Sequence, residues 1–210
     1  VIRYQLALLA HSQRWLPPLL AYLILLGVLF SDAGSETRPL YAVSAGALTV
    51  VACWLTIALV DAEDPTQRLI TQVHAGRLST VLSGIVGAVA LCSAVLMVIP
   101  LVWAALVHPG FSAGVLVDGV VAHVACAAAG VAVGLPCSRL LLPRIGYTML
   151  AALALLGIVL LVRWVPVVNP MLRGLLGSGP GSAVALGLLG GVLLLAVSAA
   201  GTGWAVHRRA

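Results

Sequence analysis

The sequence predicts an all-α membrane protein, and three observations carry that prediction. Hydrophobic residues fill 62% of the 210 positions and charged residues only 8%. Mean hydropathy is +1.16. Apolar runs at 16–30, 40–60, 78–107, 113–135, 145–162 and 182–206 are separated by short polar or proline-rich stretches. A soluble domain carries roughly 25% charged residues, and this chain has too little polar surface to resemble one. Most of the runs reach the roughly 20 residues that take a helix across a ~30 Å hydrocarbon layer, the first being short. Helices are required because backbone polar groups facing lipid must bond within their own segment. The expected architecture is one transmembrane domain over 1–210, with six transmembrane helices preceded by an interfacial helix.

Each element follows from local pattern. In "VIRYQLALLAHSQR", Ile2, Leu6 and Leu9 fall along one stripe, and Arg3 and Arg14 return to nearly one azimuth at ~100° per residue. That predicts a helix over 1–14 lying in the membrane interface, arginines toward headgroups. Pro17 and Pro18 suit the first turn of the helix that follows. "SDAGSETRP" reads as a polar turn. After the second run, Asp61, Glu63 and Asp64 gather three of the chain's six carboxylates. They complement the positive end of a helix that Pro65 can begin. That helix, "TQRLITQVHAGR", has Leu69, Ile70 and Val73 to one side; it is too polar to span and too patterned for a turn.

Farther along, Pro100 predicts a kink or an end within the third run. The fourth run contains Asp118 and His123, and the fifth leads to Arg163 and Trp164, a pair suited to an interface. Segment 165–181, "VPVVNPMLRGLLGSGPG", is too apolar for a solvated loop and too broken for a straight helix. A re-entrant or surface-lying element on the outer side fits it. Gly130 with Gly134, and Gly187 with Gly191, have the small-xxx-small spacing that permits close helix approach, a dimer face being one use of it.

Charge supplies the orientation. The net charge of +5 comes from eleven arginines, no lysine and six acids. With a cytoplasmic N-terminus, six crossings place Arg3, Arg14, Arg68, Arg77, Arg139, Arg144, Arg208 and Arg209 inside, and Arg38, Arg163 and Arg173 outside. This is the positive-inside bias. The same charge in a nucleic-acid binder would serve phosphates; here topology accounts for it, and no nucleic-acid partner is expected. Cys53, Cys92 and Cys126 lie in apolar runs and Cys137 at an inner end, without the paired spacing of a disulfide framework or metal site. No cleavable signal peptide is evident.

The motifs of two catalytic classes are missing from the sequence. It contains no G-x-x-x-x-G-K-[ST] and no H-E-x-x-H. ATP hydrolysis by a P-loop and zinc proteolysis are therefore not expected of this chain, which by itself is read as a non-enzyme. Asp118 and His123 remain candidates, because an ionisable group inside a membrane is a functional hypothesis by default. Five residues apart, they sit ~140° apart on a helix and are poorly placed to pair with each other. Either one lines a cargo path, or both are satisfied packing residues.

An interfacial N-terminal helix, six spans with both ends inside, a charged short helix after span two and a broken apolar segment before span six occur here in that order. This arrangement resembles the membrane subunit of an ABC-2 type transporter, the class of many bacterial drug, antibiotic and polysaccharide export permeases. The resemblance is architectural and extends over nearly the whole chain. It implies that 61–77 is a coupling helix docking in a cleft of an ATP-binding subunit, with Asp61, Glu63, Asp64, Gln67, Arg68, His74 and Arg77 as contacts. Charge at such a surface sets register and specificity more than bulk affinity.

The resemblance further implies a separate P-loop ATPase holding ATP and magnesium, a second permease copy or paralogue, and surrounding membrane lipid. No cofactor or metal would be bound by this chain. It implies a multi-pass protein of the bacterial cytoplasmic membrane, both termini cytoplasmic, exporting an amphipathic small molecule, peptide or lipid-like cargo by alternating access. Two other readings stand beside it. One is a proton-coupled secondary carrier using Asp118 and His123 as a relay, against which the missing internal repeat counts. The other is a non-transporting membrane scaffold or immunity protein.

Overall fold

The structure is a computed structural model that describes residues 1–32, 34–64, 67, 70–71, 73–74, 76–108, 112–142, 144–162, 165, 168–177 and 182–208. These residues contain the helices α1 (Ile2–Ser12), α2 (Leu16–Leu29), α3 (Thr37–Ala62), α4 (Leu78–Val107), α5 (Ala113–Gly134), α6 (Ile145–Leu161), α7 (Asn169–Leu176) and α8 (Ser182–His207). No strand occurs among the described residues. Between α3 and α4, Gln67, Ile70, Thr71, Val73 and His74 are also helical.

Helices α3, α4, α5 and α8 are long and apolar enough to cross a membrane, and α1 with α2 would count as one more span, bent by 83°. The six expected spans thus resolve into four or five by length and composition. The shortfall lies in α2, whose 14 residues reach about 21 Å at ~1.5 Å each, and in the 17-residue α6.

The 83° bend has a local cause. α1 ends at Ser12, and Gln13 adopts φ 53°, a left-handed conformation that turns the chain before Pro17 and Pro18 enter the first turn of α2. The helix therefore stops short of Arg14, and the azimuth expected to relate Arg3 to Arg14 does not exist in the folded chain. Pro100 lies inside α4 without ending it. Before α3, the Asp32 carboxylate accepts from the Gly34 N–H at 2.9 Å and from the Ser35 hydroxyl at 3.1 Å. Those bonds, the backbone one foremost, hold its carboxyl below the usual carboxylate range.

α3 is the central helix. On one side Leu48, Leu55 and Leu59 join Val81, Ile85 and Val89 of α4; on the other, Ala45 and Cys53 join Ala122, Ala125 and Cys126 of α5. Cohesion between helices in lipid comes from close van der Waals contact, so small residues matter most where backbones approach. A Cβ on Gly130 would strike the Thr49 carbonyl oxygen, and one on Gly134 would lie 2.6 Å from Thr56 Cβ and 2.8 Å from the Cys53 carbonyl oxygen. On α8, Gly191 would meet the Ala125 carbonyl at 2.7 Å and Gly187 the Met171 Sδ at 2.6 Å. Both small-xxx-small pairs therefore serve close approach within this chain.

The bundle has two distinguishable ends. At the basal end α1 lies beside the end of α3 and the start of α4, with Tyr4 bonded to Glu63 and Arg14 to the Asp61 carbonyl. At the apical end Phe30, following α2, stacks near Trp103 and edge-on to His108, with ring centroids 6.0 and 5.6 Å apart. There α7 tucks in, Asn169 Nδ2 donating to the Leu160 carbonyl at 2.5 Å and Leu172 packing against Gly46. Within 165–181 the described residues form the short helix α7, packed beside α3 and α8.

Candidate functional site

The acidic cluster that closes α3 is split by the fold into internal and external parts. The Asp61 side chain is only 7% exposed; Oδ1 accepts from the Arg139 backbone N–H at 3.1 Å, and Oδ2 lies 3.7 Å from Arg139 Nε. Asp61 also offers its carbonyl to Arg14 Nη1 at 3.1 Å. One residue thereby ties the α1–α2 turn and the chain beyond α5 to the foot of α3. Glu63 is 5% exposed. It accepts from the Tyr4 hydroxyl at 3.3 Å and from the Thr71 hydroxyl at 2.5 Å.

Hydrogen bonds to ionised acceptors are the stronger kind, and removing one partner leaves a buried acceptor unsatisfied. Glu63 is thus a latch: it holds α1 on one side and the short helix between α3 and α4 on the other. Of the residues expected to meet a partner, Asp61 and Glu63 face inward. Asp64, Gln67, His74 and Arg77 are exposed, whereas Arg68 lies outside the described residues.

The exposed face of the short helix is more apolar than its sequence suggested. Ile70 is 58% exposed and Val73 is 80% exposed, next to Gln67 and His74. His74 Nδ1 lies 3.3 Å from the Ile70 carbonyl, within its own helix. Beside this face, Val1, Tyr4, Gln67, Ile70, Thr71 and His74 line an open groove of about 410 Å3. A patterned helix ordinarily turns its aliphatic side to the core. Here the half-buried Thr71 donates its hydroxyl to Glu63, while Ile70 and Val73 face out and Leu69 lies outside the described residues.

The two intramembrane candidates have partners inside the chain. Asp118 Oδ2 lies 3.1 Å from Arg38 Nη2 at the apical end, joining the starts of α5 and α3. His123 is fully buried, with Nδ1 2.7 Å from the Gly119 carbonyl and Nε2 3.1 Å from Ser44 Oγ. A proton on Nδ1 bonds the carbonyl, which leaves Nε2 to accept from Ser44. Tyr41 packs edge-on to the ring at 5.9 Å.

Arg3 is exposed on α1. On the buried side of α1, Gln5 is fully enclosed and neither its Oε1 nor its Nε2 has a partner. Sequence reasoning missed Gln5, as it missed Tyr4, Thr71 and Arg139 as partners of the acids. Gln5 lies four residues before the buried Leu9, a helical spacing that could have marked it.

Among the described residues no three His, Cys, Asp or Glu side chains come together as metal ligands would, and all four cysteines are free. The site has the means for noncovalent docking: an apolar surface with polar flanks, held in place by a buried carboxylate. No protein-family model, curated protein or solved structure matches the chain. What the structure establishes by itself is an all-helical protein with four or five helices able to span a membrane.

Proposed function

We propose that this chain is the membrane-spanning permease subunit of an ABC-2 type exporter. It carries cargo by alternating access while a separate P-loop ATPase subunit binds ATP and magnesium. The observation that carries the reading is the short helix between α3 and α4, latched by Glu63 with Ile70 and Val73 turned outward. Exposed aliphatic residues at a charged end of a membrane bundle are unfavourable in water, and a partner that covers them removes that cost. In this reading the helix couples the ATPase to the bundle, and Asp61 and Glu63 transmit its displacement to α1 and α3.

Six crossings are supported by the course of the two short helices. α2 connects the basal Arg14–Asp61 contact to the apical Phe30–His108 contact. α6 begins beside basal Arg144 and ends near Leu160, which meets apical Asn169. Among the described arginines, Arg3, Arg14, Arg77, Arg139, Arg144 and Arg208 sit toward the basal end, and Arg38 and Arg173 toward the apical one. That bias supports a cytoplasmic basal end. A bilayer locally thinned beside α2 and α6 accommodates helices a few residues short.

The test is recovery of the tagged protein in mild detergent from its own cells, with mass spectrometry of what accompanies it. The expected result is a P-loop ATPase near stoichiometric amounts, lost in Val73→Asp while the variant remains folded and monodisperse. Recovery of intact protein with no ATPase, or an ATPase retained by both Val73→Asp and Ile70→Asp, overturns the reading.

A further inference from the structure

A second basal feature has the dimensions and charge of a lipid site. Between α3 and α6 lies a groove of about 450 Å3, walled by Cys53, Trp54 and Ile57 on α3 and by Met149, Leu153 and Leu156 on α6. Its wall on α3 runs from Val50 to Asp61, about 16 Å at ~1.5 Å per residue. That is close to half of a ~30 Å hydrocarbon layer, the depth of one leaflet. The lips are open, with Trp54 42% and Leu153 68% exposed.

At the basal mouth the lining changes to Arg14 and Asp61. Asp61 is already engaged by Arg139, and Arg144 is the residue that precedes Ile145 at the groove's rim. Three arginines and one acid leave an excess of positive charge. α6 adds the positive end of its dipole, for its first turn contains no acid and no side chain caps it. Arg14 donates one N–H to the Asp61 carbonyl, leaving guanidinium donors for a further acceptor.

We propose that this groove binds an anionic glycerophospholipid of the basal leaflet. An acyl chain lies along Trp54, Ile57 and Leu153, and the phosphodiester sits between Arg14, Arg144 and the α6 N-terminus. A zwitterionic lipid fills the same apolar wall but brings a cation to a mouth that is already positive. A free phosphate finds the arginines without the groove. The groove therefore selects headgroup and chain together.

The test uses the full-length protein purified in neutral detergent. Its melting temperature is measured with added dioctanoyl phosphatidylglycerol, dioctanoyl phosphatidylcholine or glycerol phosphate. Phosphatidylglycerol is expected to stabilise at concentrations at least tenfold below phosphatidylcholine, with glycerol phosphate inert. Each of Arg14→Gln and Arg144→Gln is expected to reduce that preference about fivefold, the effect of roughly one surface arginine on an anionic lipid. Arg173→Gln, at the opposite end, is expected to leave it unchanged.

A second measurement covers loss of fold in the arginine variants. In a chain whose other tryptophans are phenylalanine, Trp54 fluorescence is expected to be quenched by brominated phosphatidylglycerol at a lower mole fraction than by brominated phosphatidylcholine. Equal action of the two lipids in both assays reduces the groove to ordinary lipid contact and overturns the proposal. Stabilisation by glycerol phosphate alone assigns the arginines to free phosphate and overturns it as well.

Discussion

Replacing Gly130 by alanine puts the smallest possible wedge between α3 and α5, and the structure sets its size. The new Cβ would meet the Thr49 carbonyl oxygen, Ala52 Cβ at 2.9 Å and the Cys53 nitrogen at 3.1 Å. Carbon atoms rest at about 3.5–4.0 Å from their neighbours, and two of these three are backbone atoms that no rotamer change can move. The helices must separate by roughly 1 Å, which forfeits a quarter to a half of each contact well along the interface. Overpacking of this kind costs about 1–3 kcal/mol. The better helix propensity of alanine returns up to about 1 kcal/mol. A net loss of about 1–2 kcal/mol lowers the melting temperature by about 2–8 °C at 2–4 °C per kcal/mol for a chain of this size. Gly27→Ala and Gly157→Ala, where nothing lies within 4 Å, are the controls and are expected to melt at or slightly above wild type. The assay is thermal unfolding in detergent, paired with size-exclusion chromatography. If Gly130→Ala melts like the controls and instead shifts the elution of the protein to a smaller size, the glycine pair belongs to an interface between chains and this packing argument fails.

Three other perturbations separate roles that the sequence alone leaves merged. Glu63→Ala removes the acceptor for Tyr4 and Thr71; a local loss of about 2 kcal/mol or more corresponds to about 30-fold faster amide hydrogen exchange in both α1 and 67–74. Acceleration in only one of them would mean that the carboxylate is not their shared latch. Arg38 and Asp118 are partly exposed, at 56% and 25% of their side chains, so a double-mutant cycle on thermal stability should give at most about 1 kcal/mol. A coupling several times larger would point to a role beyond joining α3 to α5. Gln13→Pro imposes a φ near −65° where the chain needs 53° and should loosen α1, measured as proteolysis before residue 12. Gln13→Gly should leave α1 protected, and equal cleavage of the two variants would show that the left-handed turn does not position it.

Several parts of this fold were readable because they rest on one-dimensional physics. The apolar runs predict the helices since backbone satisfaction in lipid leaves no other choice, and Pro17, Pro18 and the polar turn after position 30 mark their ends. The N-terminal helix was legible from its stripe of Ile2, Leu6 and Leu9. Its length was not, because the turn at Gln13 is a left-handed conformation with no glycine to announce it. Span number was also less legible than span position, because α2 and α6, at 14 and 17 residues, are shorter than the helices that count as spans by length.

The partners of the ionisable groups could not be read at all. Asp61 meets Arg139 across 78 positions, His123 meets Ser44 across 79, and Glu63 meets Tyr4 across 59. Such pairings depend on which helix faces become neighbours, and strongly apolar helices supply little periodicity to say so. The glycine spacing announced close approach but not its address, which the Thr49 and Ala125 carbonyls supply.

The inward turn of Asp61 and Glu63 changes how a docking surface here must be tested. Charge reversal across the cluster looks like a natural probe, yet a lysine at 63 would stand beside the Tyr4 and Thr71 hydroxyls and put an uncompensated cation in a site 5% exposed. Leaving a charge buried without a partner is strongly destabilising, by about 3–5 kcal/mol. Any association made through the neighbouring short helix would be lost with the latch, whether or not Glu63 itself touches what docks there. Val73→Asp, at a residue 80% exposed, alters the outward face with little effect on the chain's own packing. If Glu63→Lys and Val73→Asp both abolish association, amide exchange tells them apart: α1 opens in the first and stays closed in the second. If Val73→Asp opens α1 as well, the short helix is a strut for the N-terminal helix, and the outward aliphatic face is not a separable docking surface.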